Sequence, residues 1–404
     1  MPPKLYPRLL LAVLTGLNIL NYVDRGVLFG VQPLIQKEFP RSDRDYGLLT
    51  FAFFIAYMVA APCVGWMGDR FSRKKIMAVG ILIWSGFTLL TWVTHTFGEL
   101  MFRHTIVGIG EASYAAIAPT LIADSFPIER RGRMLSIFFL GLPLGNALGL
   151  ILGGVAGQHW GWRVPFMIAG VPGFVLAIVL WFLPEPPRGL SEGEDSSPAR
   201  STVLGLAKNG AFLTATLGMA MYTFAAGGLL QWIPTFLWRV RHVPLDRAGL
   251  IFGGMAGFNG IVATLIGGWI GDRLLKRYFG AYYTFPGIAM FVAVPLMVMT
   301  VYVTGKPMYA AMFTAIFLLL IGTAPTNAAL VNSVGPKIRS TALAVNIFII
   351  HLLGDAFSPT LIGTISNKTG SLQKGFWAAF VAAALSGGIL IYGAKFAPRF
   401  KTQT

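Results

Sequence analysis

Gly65-Trp66-Met67-Gly68-Asp69-Arg70 recurs as Gly268-Trp269-Ile270-Gly271-Asp272-Arg273, 203 positions further along a chain of 404 residues. Both copies follow a long apolar stretch. Both run into a basic cluster: Arg73, Lys74 and Lys75 after the first, Lys276 and Arg277 after the second. The offset is about half the chain. One motif repeated in one orientation at half-length is the product of a duplicated membrane unit. Chance recurrence in a Gly-rich chain would not also reproduce the hydropathy around both copies.

Composition agrees. Hydrophobic residues make up 55% and charged ones 12%, with a mean hydropathy of +0.67. A soluble domain carries about 25% charged residues, so the solvent of this chain is lipid. The net charge of +16 would suit nucleic acid only if Lys and Arg clustered on a soluble face. Here they sit in short gaps between apolar spans, where they act as topology signals and as contacts to anionic headgroups of membrane lipids. The one cysteine, Cys63, lies inside an apolar span, which excludes an intrachain disulfide and a Cys-based metal site. No metal and no cofactor is expected. The apolar stretch from Leu9 is too long for a signal peptide, holds Asp24 and Arg25, and lacks a small-residue cleavage site. It reads as the first membrane helix.

Segments of about 20 apolar residues match a hydrocarbon core about 30 Å thick. Twelve are predicted: 9–36, 46–68, 75–95, 98–123, 133–157, 163–183, 208–238, 247–271, 281–304, 307–332, 340–363 and 374–397. In lipid each is helical, because an open structure of any other kind leaves its backbone unsatisfied. The fold expected is therefore all-α and integral to the membrane, with twelve transmembrane helices in two pseudo-symmetric six-helix bundles, residues 1–183 and 208–404. The Pro/Ser/Glu-rich stretch between them, residues 184–207, is read as a cytoplasmic linker. With twelve spans, the termini and even-numbered loops hold 20 Lys and Arg, the odd-numbered loops hold 10, and two lie within spans. The positive-inside rule then puts both termini and both motif copies in the cytoplasm. The compact loops point to a bacterial inner membrane.

Glycines fall every fourth residue in span five (Gly141, Gly145, Gly149, Gly153, Gly157) and in span eight (Gly249, Gly253, Gly257). Such a face lets two helices approach closely. It serves either static packing or a smooth seam along which the halves rock.

Ionisable side chains at mid-membrane are costly and mark function. Asp24 and Arg25 lie in the middle of span one, Glu111 in span four, and His351 with Asp355 in span eleven. His104 and Glu111, seven apart, share a helix face about 10 Å apart along the axis. Arg103 is turned about 80° from Glu111 and is expected to snorkel to the outer interface. His351 and Asp355, at i and i+4, can hydrogen-bond. Asp24 and Arg25 point about 100° apart, so one can face a central cavity while the other pairs with a neighbouring helix. A cationic Arg25 in such a cavity favours an anionic substrate group. Glu111 is the simplest proton carrier, and the histidines also titrate near neutrality. The chain has no Gly-x-x-x-x-Gly-Lys-Ser/Thr loop, so an ion gradient rather than ATP is the expected energy source. Asp69 and Asp272, at the cytoplasmic ends of their spans, are placed to make and break contacts with helix N-termini or local Arg residues as that side opens and closes.

At these residues the chain resembles the major facilitator superfamily. Gly65-x-x-x-Asp69-Arg70-x-x-Arg73-Lys74-Lys75 is similar to that family's signature between helices two and three, departing at Ser72, where Gly is usual. Asn21-Tyr22-Val23-Asp24-Arg25, and Val107-Gly108-Ile109-Gly110-Glu111-Ala112-Ser113-Tyr114 continuing through Ala118-Pro119-Thr120-Leu121-Ile122-Ala123-Asp124, resemble the Spinster group of lipid transporters within it. The resemblance implies alternating access, proton linkage, and substrates such as lysophospholipids or sphingosine-1-phosphate. It implies substrate roles for Arg25, His104, Glu111 and His351, proton coupling at Asp24 and Glu111, and gating at Asp69, Arg70, Arg73, Asp272 and Arg273. The family's span-four Arg, four residues before Gly108, falls here on His104. Arg103 precedes it, turned about 100°.

The substrate expected is thus a lipid or other amphipathic anion, moved by a monomer with no nucleic-acid partner. The alternative is a transporter of a small organic anion or drug, in which Asn259, Asn327 and Asn346 would converge on the cavity. A membrane-embedded acyltransferase would need a nucleophile and base, or a metal cluster, near an interface. No loop supplies such a cluster, so the chain is not expected to be an enzyme.

Overall fold

The computed structural model describes residues 6–187, 205–335 and 338–398. Residues 188–204 of the expected linker lie outside the described residues. The described chain is helical: α1 (Tyr6–Glu38), α2 (Asp43–Arg70), α3 (Arg73–Leu90), α4 (Phe97–Ser125), α5 (Ile128–Phe139), α6 (Gly141–Trp160), α7 (Val164–Phe182), α8 (Gly210–Arg239), α9 (Leu245–Leu275), α10 (Ala281–Tyr302), α11 (Lys306–Ile321), α12 (Thr323–Asn332), α13 (Arg339–Ile350), α14 (Ser358–Thr369), α15 (Leu372–Gly375) and α16 (Trp377–Gly393). Among the described residues, eleven stretches are long and apolar enough to cross a membrane. The 33-residue α1 is long enough but is not one of them, since Asn18, Asn21, Asp24, Arg25, Gln32 and Gln36 dilute its apolar character.

Several expected spans are two helices end to end. Span five divides at Leu140 into α5 and α6, span ten at Gly322 into α11 and α12, and span eleven is interrupted by a π-helical turn at His351–Asp355. Helix ends are set locally. Thr96 caps α4 by accepting the Glu99 N–H at 3.2 Å, while the Glu99 carboxylate accepts the N–H of His95, the residue before the cap, at 3.0 Å. Large apolar side chains stand exposed, Phe182 at 78% and Trp269 at 62%. Patches of that size suit a lipid environment rather than water.

The contacts divide the chain into two units: Met1–Arg41, Leu49–Asp195 and Ile233–Gly257 in the first, and Ser42–Leu48, Ser196–Trp232 and Phe258–Thr404 in the second. Helices α2, α8 and α9 each contribute to both.

In the first unit α1 lies along α6. A Cβ on Gly145, Gly149 or Gly153 would come within 2.4–2.8 Å of the carbonyl oxygens of Ile19, Val23 and Val27. The every-fourth-residue stripe of span five is therefore the face that packs against α1. The span-eight stripe meets a different face of α6: Gly249 lies against Leu150 and Gly154, Gly253 against Ala147 and Leu150, and Gly257 against Ala147. Helix α3 packs on α4 and α7, with Gly80 and Gly110 admitting Ser113 and Trp84.

In the second unit α10 packs on α11 and α16. Tyr283 and Ser386 donate to the carbonyls of Ala211 and Gly218, at 2.9 and 2.8 Å. The first turns of α2 are seated on α14. A Cβ on Gly47 would lie 2.4 Å from Thr360 Cα, and one on Gly363 would lie 2.4 Å from the Asp43 carbonyl oxygen. Ser366 donates to the buried Asp43 carboxylate at 2.6 Å, and Asn367 accepts the Asp43 N–H at 3.0 Å.

Candidate functional site

Arg25, in the middle of α1, points at α4. Its Nε and Nη2 both donate to Glu111 Oε2, at 2.8 and 2.7 Å, with the two side chains 14% and 0% exposed. Four aromatic rings surround the guanidinium, with centroids 4.9–5.6 Å away: Tyr22 from α1, and Phe53, Phe54 and Tyr57 from α2. A weakly hydrated, planar cation suits such rings. Glu111 Oε1 is buried with Asn21 close beside it, and takes no part in the ion pair. One carboxylate oxygen thus carries the whole ion pair, and the other has spare capacity for a proton.

Asp24 turns the other way, to α3, where Thr88 donates to its Oδ2 at 2.5 Å. The 100° turn between Asp24 and Arg25 therefore sends one to each neighbouring helix. In the second copy of the repeat the positions 203 further on are Gly227 and Gly228, so only the first copy carries charges there. Asp355 and Ser358 lie against Gly227.

His104 stacks on Phe53 with ring centroids 4.9 Å apart, so one aromatic side chain touches both His104 and Arg25. Arg103 is elsewhere. It donates to the Leu90 carbonyl and to Thr94 Oγ1, and lies 3.5 Å from Glu99. Of the two adjacent basic residues in α4, His104 is the one beside the Arg25 cluster. His351 belongs to the second unit, where its Nδ1 is 3.1 Å from Asp355 Oδ2 within the π-helical turn. Asp355 Oδ1 is buried and makes no hydrogen bond. Turns of this kind are frequent at functional sites.

The residues expected to gate are held unequally. Arg73 is buried at the start of α3. It binds Asp124 at 2.5 Å, Thr120 at 3.4 Å and the Pro186 carbonyl at 3.1 Å, and lies 3.4 Å from Glu185. Glu185 also accepts the Ser72 hydroxyl at 2.5 Å and the Arg73 N–H at 3.0 Å. Burial pushes the Glu185 carboxyl up, but these hydrogen bonds and the Arg73 charge outweigh it and hold it below the usual carboxylate range. Lys74 binds the Trp181 and Leu183 carbonyls, so the end of α7 is fastened to the start of α3. Arg70 lies over the Trp66 ring at 4.1 Å, and Arg273 over Trp269 at 5.5 Å. Tyr282 donates to Asp272 at 2.6 Å. The acidic partners of Arg73 are 51 and 112 residues away in sequence, beyond the reach of local pattern. The aromatic face of α2 carries its own signal, since Phe53 and Tyr57 stand at i and i+4.

Of the three asparagines expected around a small-anion cavity, Asn259 donates to the Phe313 carbonyl at 3.1 Å and Asn327 to the Thr323 carbonyl at 2.9 Å. The Asn346 side chain is buried, with Oδ1 unsatisfied.

Residues 14–359 match the Major Facilitator Superfamily. Protein spinster homolog 1 of Xenopus laevis is 37% identical over 402 residues, covering 92% of this chain and 75% of that protein. The sphingosine-1-phosphate transporter SPNS2 of Danio rerio is 36% identical over 399 residues, covering 92% and 77%. Among solved structures, a bacterial homologue of the human lysosomal transporter Spinster, in an inward-facing and unoccupied conformation, superposes with a TM-score of 0.87 at 23% identity, covering 97% of this chain and 98% of that one. A D-xylose–proton symporter superposes at 0.75 and 18% identity, covering 98% of each.

Proposed function

The chain belongs to the Spinster branch of the major facilitator superfamily, and from that premise we propose that this multi-pass membrane transporter, which is not an enzyme, moves amphipathic anionic lipids by proton-coupled alternating access. The observation that carries the reading is the buried Arg25–Glu111 pair inside four aromatic rings. A guanidinium among rings suits an anionic headgroup attached to an apolar body, and the name of the Danio rerio relative states such a cargo, sphingosine-1-phosphate.

In this mechanism Glu111 and the substrate phosphate compete for Arg25. Removing one partner of a buried ion pair costs about 3–5 kcal/mol, because a charge is left uncompensated. Neither event is therefore favourable alone. A proton arriving on Glu111 neutralises the counter-charge, and the phosphate then takes the guanidinium through charge-assisted hydrogen bonds. His104, stacked on Phe53, positions that ring under Arg25. Asp24, held by Thr88, is a second proton-handling carboxylate, and His351 is a further substrate-handling residue. Asp69, Arg70, Arg73, Asp272 and Arg273 act as the cytoplasmic gate. Residues 1–183 and 208–404 act as the two bundles, with both termini in the cytoplasm of a bacterial inner membrane. The protein works as a monomer.

The test is uptake of a labelled lysophospholipid into proteoliposomes, in competition with unlabelled lysolipid or a small aromatic acid. Lysolipid alone should compete. Effective competition by the aromatic acid would replace the lipid reading with the small-anion one.

A further inference from the structure

On the face opposite the termini, a chain that follows the positive-inside rule should be poor in Lys and Arg. Of the ten there, six stand at the α1–α2 and α8–α9 links: Lys37, Arg41, Arg44, Arg239, Arg241 and Arg247. The second of these links borders an open surface cavity of about 420 Å³ lined by Trp238, Arg239, His242, Val243 and Pro244. We propose that this cavity binds a phosphate group, at a site separate from Arg25. Lys37 is twelve residues, about 18 Å, further along α1 than Arg25.

The cationic groups are held in place rather than loose. Arg239 donates to Gln36 Oε1 at 2.7 Å, and the Lys37 ammonium lies 4.8 Å from the centre of the Trp238 ring. The Gln36–Arg239 pair joins positions 203 apart, as does Gln32–Thr235 one turn earlier. The ends of α1 and α8 therefore meet as equivalent helices of the repeat. The Arg241 guanidinium covers Phe236 at 5.1 Å.

Two of the acids at these links are already bound. Glu38, next to Lys37, is gripped by Arg163 at 2.6 and 2.8 Å and by Trp162 Nε1 at 2.7 Å. Asp246 accepts the Arg247 N–H at 2.8 Å. Arg239 is the cation that lines the cavity, and its planar guanidinium matches the oxygen geometry of a phosphate.

The backbone supplies an independent observation. His242 is left-handed, with φ of 54°, and is the one non-glycine residue with positive φ among the described residues. It closes α8 with a bond from the Val243 N–H to the Leu237 carbonyl at 2.9 Å. Glycine is the usual and least strained residue at such a helix end. Here a histidine adopts that conformation, and it is one of the residues lining the cavity. A sparsely populated backbone conformation at a cavity-lining position points to a role beyond chain reversal.

The experiment titrates the purified full-length protein in detergent with inorganic phosphate and with dodecyl phosphate at constant ionic strength, and follows the unfolding temperature. Wild type and Arg25→Ala should both show saturable stabilisation, which separates this site from the central one. Arg239→Gln should raise the half-saturating concentration about tenfold or more. His242→Gly relieves the left-handed strain, so it should fold at least as stably yet bind phosphate more weakly; a purely structural His242 would leave binding unchanged. Response to both ligands assigns the phosphate group alone, and response to dodecyl phosphate alone, still lost in Arg239→Gln, assigns a lipid-borne phosphate. Equal half-saturation in wild type, Arg239→Gln and His242→Gly would overturn the proposal, as would loss of the response in Arg25→Ala.

Discussion

Replacing Glu111 by Gln keeps the shape of the side chain and removes the carboxylate that holds Arg25 at 2.7 Å. Without ligand, Arg25 is then a buried charge lacking its counter-ion, and the variant should be less stable by about 3–5 kcal/mol. Part of that loss returns when an anion binds. In the wild type the anion must first displace Glu111, and in the variant it need not. Recovering even a third of the penalty, about 1.4 kcal/mol, makes binding about tenfold tighter. The pH dependence separates the two proteins further. If one proton must settle on Glu111 before the phosphate engages Arg25, wild-type affinity rises as pH falls, by up to about tenfold per unit. In Glu111→Gln the profile is flat. The assay is equilibrium binding of labelled lysophosphatidylglycerol, whose phosphodiester does not titrate between about pH 5 and 8, so any slope belongs to the protein. A variant that binds more weakly than wild type at every pH, or that keeps the wild-type slope, would refute the competition between Glu111 and substrate.

Arg25→Ala should abolish lysolipid uptake in proteoliposomes while the protein remains folded by gel filtration and circular dichroism; undiminished uptake removes Arg25 from the substrate site. Gly47→Val forces side-chain atoms into the Thr360 backbone, an overpacking of about 1–3 kcal/mol, and should detach the start of α2 from α14. A cysteine placed at buried Ser366, with Cys63 replaced by Ser, should then react faster with a thiol reagent, and an unchanged rate counts against that packing. Glu185 is held below its usual range in the folded protein, so its stabilisation is present above about pH 4.5 and fades as pH falls through the lower folded value. The unfolding temperatures of wild type and Glu185→Gln should therefore differ at neutral pH and converge on acidification. A constant gap down to about pH 3 would contradict that assignment.

The sequence foretold whatever depends on local hydropathy and spacing. The span positions follow from runs of apolar residues, and the pairing of His351 with Asp355 follows from i, i+4 geometry. Partner identity depends on how each helix is rotated about its axis, which no short window of sequence contains. Asp24 and Arg25 could be seen to diverge, but that Thr88 receives one and Glu111 the other could not. The motif marks Arg73 as a gating residue but does not reveal that it is buried against Asp124 and Glu185. The span-five glycines advertised a close helix approach without saying to which helix, and the answer is α1. The interruptions at Leu140, Gly322 and His351 were invisible because hydropathy runs through them unbroken.

The central idea is that protonation of Glu111 hands Arg25 to an incoming phosphate, and it is tested most directly by proton movement in proteoliposomes loaded with a pH-sensitive dye. Adding lysophosphatidylglycerol to wild-type vesicles should change the lumenal pH, and adding it to Glu111→Gln vesicles should not, even where the variant binds the lipid. Substrate-driven proton movement that persists in Glu111→Gln, or that is absent from wild-type vesicles accumulating the lipid, would contradict it.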